Sequence, residues 1–256
     1  MDNPVIAFWD IETAMTLVGA HTSASGLYGK NLSTKYVIRD WYLLCVCLKK
    51  KGDKKVTTFT AHDSGLPEDD YNVVKSVREY LEDVDILIAH NGDKFDMKAF
   101  NARLMFHKLP PLPKIIQLDT LKEARKVARI TSNRLDYIAF HLGIEERKIK
   151  HERDLWRDLL FDTGDAQAMR EMARYCAQDV VVLENVYNEM LPYMKSHPNI
   201  ADCDTMNCPK CNSSNTIKHK KRRTASGIVK QQHQCKDCGS YFTPRASERE
   251  KPLSKL

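Results

Sequence analysis

The chain has 256 residues, which leaves room for one domain of about 200 residues and a smaller second module. Charged residues make up 29% of the chain, and no apolar run approaches the roughly 18 residues needed to cross a bilayer, which excludes a membrane-spanning protein. Residues 199–256 hold 12 Lys and Arg against 5 Asp and Glu, or +7, out of a total net charge of +6. A basic tail favours a polyanionic partner, with nucleic acid as the leading interpretation and a solvated tail as the alternative.

The first apolar run, residues 4–9, has no basic stretch before it and continues directly into acidic residues. This is not the pattern of a signal peptide, so a reducing, cytoplasmic location is expected. In such a compartment, paired cysteines favour metal binding over disulfides.

Strands are predicted first along the chain. Residues 5–13 alternate and are rich in β-formers, so Asp10 and Glu12, two positions apart, should face the same side. Residues 42–49 and 55–60 are predicted to pair as a hairpin. The polar stretch at residues 19–35 between these strands is a candidate substrate-contacting loop.

Helices dominate the later part of the sequence. A strand at residues 85–90 is flanked by helical patterns, and the predicted helices are 71–82, 95–108, 120–127, 133–142 and 166–194. The last helix is long enough to expect a break or kink. This order predicts an α/β fold with a mixed sheet flanked by helices. The periodic pattern stops after Pro192 and the composition changes, which places a domain boundary between residues 198 and 199.

Three separated segments place carboxylates where they could share metal ions. One ends the first predicted strand, one begins a helix at Asp96, and one pairs Tyr175 with Asp179 a helical turn later. Phosphodiester hydrolysis by two metal ions about 4 Å apart needs several converging carboxylates, since Mg²⁺ and Mn²⁺ prefer oxygen ligands. Each segment alone is a weak signal because acidic residues in such places usually form a solvated face or cap an end. Their joint occurrence in this order carries the argument.

Together the segments resemble the three Exo motifs of the DEDD 3′→5′ exonucleases, the superfamily that includes polymerase proofreading domains. The matching stretches are Asp-Ile-Glu-Thr from Asp10, His-Asn-Gly-Asp-Lys-Phe-Asp ending at Asp96, and Tyr-Cys-Ala-Gln-Asp ending at Asp179. Residues 118–121 and 132–137 also resemble connecting helices of that superfamily, so the likeness covers most of residues 4–194. The tyrosine at position 175 resembles the tyrosine-type branch, and the combination with the cysteine-rich tail is similar to phage-type exonucleases.

This resemblance implies a ribonuclease H-like domain over residues 1–198 that binds two Mg²⁺ or Mn²⁺ ions. The four acidic motif positions would be the metal ligands: Asp10, Glu12, Asp96 and Asp179. Tyr175 would position the attacking water, and Thr13 and Asn91 would contact the terminal nucleotide. Asp93 is a competing carboxylate in the second segment, and it is interpreted as a turn residue.

The implied activity is metal-dependent release of nucleoside 5′-monophosphates from single-stranded or frayed 3′ ends, with DNA favoured over RNA. An exoribonuclease is the alternative within the same chemistry, and a non-catalytic nucleic-acid-binding zinc-ribbon protein is the alternative from another class. No polymerase motifs fit in the remaining sequence, so a proofreading role would need a separate replication or repair protein as partner. A phage-encoded protein of this type would act in the host cytoplasm.

The tail contains two Cys-x-x-Cys pairs, separated by 23 residues. The pairs predict one structural Zn²⁺ in a closed shell of four thiolates, formed by Cys208, Cys211, Cys235 and Cys238. Between the pairs lies a basic run, with Tyr241 and Phe242 just beyond the second pair, which favours phosphate contact and base stacking. The basic residues assigned to nucleic acid are Lys220, Lys221, Arg222 and Arg223. A protein-docking module with a solvated basic loop is the alternative interpretation.

Overall fold

The computed structural model describes residues 3–19, 33–61, 69–146, 154–162, 164–202 and 206–244. Most of the predicted loop at residues 19–35 lies outside this description. The strands are β1 (Ile6–Thr13), β2 (Leu17–Val18), β3 (Val37–Arg39), β4 (Leu43–Lys50), β5 (Thr57–Thr60), β6 (Ile86–Ala89), β7 (Ile116–Asp119), β8 (Thr216–Arg223), β9 (Val229–Cys235) and β10 (Tyr241–Phe242). The helices are α1 (Tyr71–Tyr80), α2 (Asp96–Phe106), α3 (Thr120–Val127), α4 (Leu135–His141), α5 (Leu155–Phe161) and α6 (Ala166–Met190).

A five-stranded mixed sheet forms the centre of the larger module, in the order β5-β4-β1-β6-β7. Strand β1 pairs antiparallel with β4 and parallel with β6. Strands β4 and β5 form the predicted antiparallel hairpin, and β7 extends the sheet parallel to β6. The predicted α/β class, with a mixed sheet flanked by helices, is confirmed.

Successive side chains of β1 point to opposite faces of the sheet, and each face packs against a different helix. On one face the ring of Phe8 lies 5.3 Å from that of Tyr187 on α6. On the other face the rings of Trp9 and Phe100 of α2 are 5.8 Å apart. The two acidic side chains of β1 follow Phe8 at alternate positions, so they face α6.

Several features of the fold differ from the sequence-based expectation or add to it. Strand β7 was not predicted, and residues 118–121, expected to be helical, instead span the end of β7 and the start of α3. Helix α5 was also not predicted. Helix α6 runs unbroken for 25 residues, because neither Pro nor Gly interrupts it and one face is buried along its length. No helix of the described ranges has the length and apolarity required to span a membrane.

The smaller module is a three-stranded sheet in the order β10-β9-β8, which carries both cysteine pairs at its base. It packs directly against the larger module. The Lys210 ammonium donates to the carbonyls of Leu191 and Pro192, each at 2.9 Å, at the C-terminal end of α6. The Asn212 side-chain amide donates to that of Asn3, just before β1. The base of this smaller module, called the ribbon from here on, therefore lies at the end of the five-stranded sheet where β1 begins.

Candidate active site

Three of the predicted carboxylates converge where β1 passes α6. Asp10, Glu12 and Asp179 each offer an oxygen, and these atoms all lie within 4.8 Å of one another. The neighbouring thiol of Cys176 on α6 donates to the Asp10 carbonyl at 3.3 Å, which fastens the helix to the strand beside the carboxylates. Residues about 170 positions apart in the chain thus form one acidic group.

The fourth predicted carboxylate, Asp96, lies outside this 4.8 Å group but is bound to the same strand. Strand β6 pairs with β1 from Ile6 to Phe8, and Asp96 follows β6 as the first residue of α2. Beyond the paired region, the Ile11 amide donates to Asp96 Oδ1 at 3.1 Å. The Asp96 carboxylate therefore accepts the kind of hydrogen bond that a neighbouring strand would accept, at the position between Asp10 and Glu12 of β1.

Asp96 and Asp179 are buried, at 5% and 3% exposure, and Asp10 and Glu12 are half-buried. Burial raises the pKa of Asp96 to about 7, and the nearby charge of Asp119 acts in the same direction. One carboxylate oxygen of Asp10 and one of Asp179 are also shielded from solvent. Ionised carboxylates in such a setting require a nearby positive charge, and oxygen ligands suit Mg²⁺ and Mn²⁺. The donor set therefore fits divalent metal ions.

Tyr175 lies on α6 one turn before Asp179, as the spacing predicted. Its ring meets that of Trp156 on α5 edge to face, with centroids 5.7 Å apart and an interplanar angle of 80°. Because α5 packs on α6, this contact holds the Tyr175 ring against α5, on the same helix that carries Asp179.

The two predicted nucleotide-contacting residues end neighbouring strands. Thr13 is the last residue of β1, at a register shift against β4. Asn91 follows β6 with φ of 70°, a left-handed conformation that Asn tolerates better than most residues. The competing carboxylate Asp93 forms an ion pair with Lys122 on α3, whereas Asp96 contacts β1.

Asp119 is a residue of this site that the sequence reasoning did not assign. It is 4% exposed at the end of β7, and its Oδ1 accepts the amides of Asn91 at 2.8 Å and Leu121 at 2.9 Å. Its Oδ2 is buried and has no hydrogen-bond partner in the described part of the chain. Asp119 thus fixes the turn that leads to Asp96 and caps α3 at the same time. The sequence signal was an Asp at the start of a helical pattern, which does not reveal its neighbour in space.

The turn between β6 and α2 also depends on Gly92. A Cβ at this position would collide with the Cβ of Ala89 and would lie 3.4 Å from Asp96 Oδ2. Glycine therefore allows the chain to turn tightly enough to bring Asp96 back to β1.

Comparison with known proteins assigns the family. A family model described as the RNase_H superfamily matches residues 32–191. The chain belongs to the RNase H superfamily. The matched range contains Asp96, Tyr175 and Asp179 but begins after β1. The grouping of Asp10 and Glu12 with Asp179 therefore rests on the distances between their carboxylate oxygens.

The fold of this RNase H superfamily chain is similar to that of a family B DNA polymerase from the hyperthermophilic archaeon Pyrobaculum calidifontis. The TM-score is 0.56 at 15% sequence identity, over 75% of this chain and 25% of the polymerase chain. The chain thus spans one quarter of that protein, and the likeness concerns the fold. No curated protein sequence matches the chain.

The four cysteines of the ribbon form a second group of metal-ligating side chains in this RNase H superfamily protein. The sulfurs of Cys208 and Cys238 are 3.6 Å apart, as are those of Cys211 and Cys235, and all four lie within 4.8 Å of one another. Tetrahedral Zn²⁺ with Zn–S bonds of about 2.3 Å would separate its sulfurs by about 3.8 Å. None of the four forms a disulfide, so the arrangement fits one structural zinc ion.

The basic residues assigned to nucleic acid lie on β8 of the ribbon and are exposed to solvent. Arg222 Nε donates to the side chain of Gln232 at 3.4 Å, and Arg223 donates to the Gly227 carbonyl at 3.0 Å, so the hairpin orders both side chains. The other two basic residues assigned to nucleic acid, Lys220 and Lys221, are exposed. This basic surface belongs to a different sheet from the strand that carries Asp10 and Glu12.

Proposed function

We propose that the protein is a metal-dependent 3′→5′ exonuclease that releases nucleoside 5′-monophosphates from single-stranded or frayed ends, with DNA favoured as substrate. The observation that carries this proposal is the convergence of Asp10, Glu12 and Asp179 within 4.8 Å, with Asp96 bonded to the same strand. Membership in the RNase H superfamily supports nuclease activity and a nucleic-acid substrate. The polarity and the products follow from the resemblance of the three motifs to those of DEDD exonucleases.

The four carboxylates are the proposed ligands of two Mg²⁺ or Mn²⁺ ions: Asp10, Glu12, Asp96 and Asp179. When bound, such ions supply an activated water and offset the charge on the attacking and leaving oxygens of the phosphodiester. The protein's contribution is to hold the carboxylates rigidly from three elements, β1, α2 and α6, so that little reorganisation is needed at the moment of reaction.

Other residues near the carboxylates would orient the reactants. The Tyr175 hydroxyl, one turn from Asp179 and held by Trp156, would accept or donate a hydrogen bond to the attacking water. Thr13 and Asn91, at the ends of β1 and β6, would contact the terminal nucleotide. Contacts of this kind would favour a reaction at the end of a strand, with the cleaved bond one nucleotide from the chain terminus.

The zinc ribbon is proposed to bind the nucleic-acid chain by charge. Replacement of Lys220, Lys221, Arg222 and Arg223 by Gln in the full-length protein should weaken binding and reduce its salt dependence. For single strands, each lost phosphate contact lowers the slope of log K against log salt by about 0.7. An unchanged slope would instead favour a protein-docking role for the ribbon.

Digestion of matched DNA and RNA oligonucleotides labelled at the 3′ or the 5′ end tests the proposed reaction. With Mg²⁺ or Mn²⁺, a 3′ label should appear at once as a mononucleotide, while a 5′ label should yield a ladder of shortened chains. The variants Asp10→Asn and Asp179→Asn should lose this activity, and Asp83→Asn, an exposed carboxylate paired with Lys50, serves as control. Wild-type activity in both active-site variants, or release of the 5′ label first, would refute the proposal.

A further inference from the structure

The ribbon sheet has an outer face that exposes an aliphatic side chain on β8 and an aromatic side chain on β10, with Gln234 of β9 between them. The strand register pairs Ile217 with Gln234 and Gln234 with Tyr241, so these three side chains form one row across β8, β9 and β10. Ile217 is 41% exposed and Tyr241 is 50% exposed. A row of this kind on a small, highly charged module is open for contact with a ligand.

The opposite face of the same sheet is packed inward. His233 is 6% exposed, and its ring lies 5.8 Å from that of Phe242. The next residue of β9 on that face, Cys235, is a fully buried member of the cysteine group. The two aromatic residues that follow the second cysteine pair therefore have different environments, because Phe242 supports the ribbon while Tyr241 faces solvent.

The surroundings of Tyr241 match the chemistry of a single-stranded nucleic acid. The ring of His219 contacts that of Tyr241 edge to face at 5.0 Å, so the histidine packs against the tyrosine. Five of the eight residues of β8 are Lys or Arg. Aromatic rings on a positively charged surface bind single strands by stacking on bases while the basic groups contact phosphates. A duplex hides its base faces, so it could use the charges but not the ring.

The ribbon is attached to the end of the sheet opposite the carboxylates. Besides the bonds of Lys210 to the end of α6, Glu123 of α3 accepts the amides of Lys195 and Ser196 in the connecting segment, at 2.8 and 3.1 Å. Asp179 precedes Leu191 by twelve residues of continuous helix, which corresponds to about 18 Å. An axial rise of this length corresponds to about five nucleotides at the 3.4 Å rise of a stacked strand, which sets the scale of the separation between the carboxylates and the attachment point of the ribbon.

We propose that Tyr241, in contact with His219 and on the same face of the sheet as Ile217, is a stacking platform for the bases of single-stranded nucleic acid several nucleotides away from the strand end held at the carboxylates. The proposal rests on the proposed function for the position of that end. The platform adds affinity for longer strands without taking part in the hydrolysis of the terminal bond.

Binding without cleavage tests the platform separately from the nuclease. Fluorescence anisotropy of the full-length, zinc-loaded protein with a labelled single-stranded 20-mer, in buffer without Mg²⁺ or Mn²⁺, should show at least about fivefold weaker binding for Tyr241→Ala. Tyr241→Phe should bind like wild type, because it keeps the ring. The salt dependence should be the same for all three proteins, since stacking releases no counterions.

Three outcomes of this binding experiment would overturn the proposal. The first is unchanged affinity of Tyr241→Ala for the single strand. The second is an equal loss of affinity in Tyr241→Ala and Tyr241→Phe. The third is a loss of affinity of Tyr241→Ala for a blunt duplex that equals its loss for the single strand. The unchanged affinity would favour a protein partner for this face. Zinc content and melting temperature equal to those of wild type establish that each variant is folded. An inactive enzyme would still show the binding effect, so failure of the nuclease assignment is separable from failure of the platform.

Cleavage of substrates of different length tests the distance between the two sites. At the proposed separation, a trinucleotide held at the carboxylates would not reach the platform, so Tyr241→Ala should cleave it at the wild-type rate. The same variant should show a raised KM and an unchanged kcat on a 20-mer. An equal defect on both lengths would place Tyr241 within the active site and contradict the proposed separation.

Discussion

Asp96 Oδ1 accepts the backbone amide of Ile11 at 3.1 Å, so a carboxylate of α2 is bonded to β1 between Asp10 and Glu12. This bond joins two segments that are 85 positions apart in the sequence. It gives Asp96 a structural role in addition to its proposed role as a metal ligand. The two roles can be separated, because an asparagine keeps the oxygen acceptor and loses the negative charge.

Asp96→Asn and Asp96→Ala should therefore differ in stability while sharing the loss of activity. We expect both variants to lose metal-dependent release of mononucleotides. Asp96→Ala should in addition be destabilised by about 1 to 3 kcal/mol, because it leaves the buried Ile11 amide without an acceptor. Urea unfolding of the metal-free proteins measures this difference. Equal stability of the two variants would show that the Ile11 bond contributes little.

Asp119 should affect metal binding at the carboxylates indirectly, through the turn between β6 and α2 that its side chain stabilises. Asp119→Ala removes the acceptor for the Asn91 and Leu121 amides, so we expect a loss of about 1 to 2 kcal/mol from the missing helix cap and a raised metal requirement. Asp119→Asn retains the acceptor and should keep most of the stability. Mn²⁺ titrations of activity together with thermal melts compare the two variants. A normal Mn²⁺ requirement in Asp119→Ala would show that the turn does not need this bond.

The protein should lose stability in acid through protonation of His197, which lies in the segment that leads to the ribbon. Burial lowers the pKa of His197 to about 4, assisted by the charges of Lys210 and Lys51, and its Nε2 lies 2.8 Å from the Tyr187 hydroxyl. The pKa of His197 is lower in the folded protein than in the unfolded chain, so the neutral imidazole stabilises the folded state above the unfolded-state pKa of about 6.5. This contribution to the free energy of unfolding is lost as the pH falls toward 4.

Comparison with His197→Gln isolates this pH effect, because the protonation of other groups, including the cysteines, is common to both proteins. Between pH 7.5 and pH 5.5 the wild type should lose about 1 kcal/mol more stability than the variant. Urea unfolding at the two pH values measures the difference. Parallel losses in both proteins would rule out His197 as the titrating group.

Loss of zinc should disrupt the ribbon without removing the acidic group. Cys235→Ser should reduce the zinc content and unfold β8 to β10, since metal binding supplies much of the folding energy of so small a module. Hydrogen exchange should increase in the ribbon and in the last turn of α6, where Lys210 caps the helix. Cleavage of a trinucleotide should continue. Protection of the ribbon equal to that of wild type in a zinc-free variant would contradict this role of the metal.

Much of the larger module was predictable from local pattern. The alternation in β1, the β4–β5 hairpin and the bounds of α3 follow from side-chain periodicity, which is a local property. The grouping of Asp10 with Asp179 could not be derived from spacing, and it was anticipated from the resemblance of the motifs. Their proximity depends on the packing of α6 against β1, which is a long-range feature of the fold.

The features that were missed depend on contacts between distant segments. Strand β7 is short and exposes Ile116, so it lacks a strong pattern, and the role of Asp119 becomes apparent when β7 is paired with β6. The attachment of the ribbon likewise depends on Lys210 reaching the end of α6. The different environments of Tyr241 and Phe242 follow from strand register, which the order of residues alone does not reveal.

Anomalous diffraction from crystals of the full-length protein soaked with Mn²⁺ and a nucleoside 5′-monophosphate tests the central claim most directly. We expect two Mn²⁺ peaks at the carboxylates of Asp10, Glu12, Asp96 and Asp179, and the loss of these peaks in Asp10→Asn crystals treated in the same way. Saturating Mn²⁺ that leaves this acidic group empty would contradict the account.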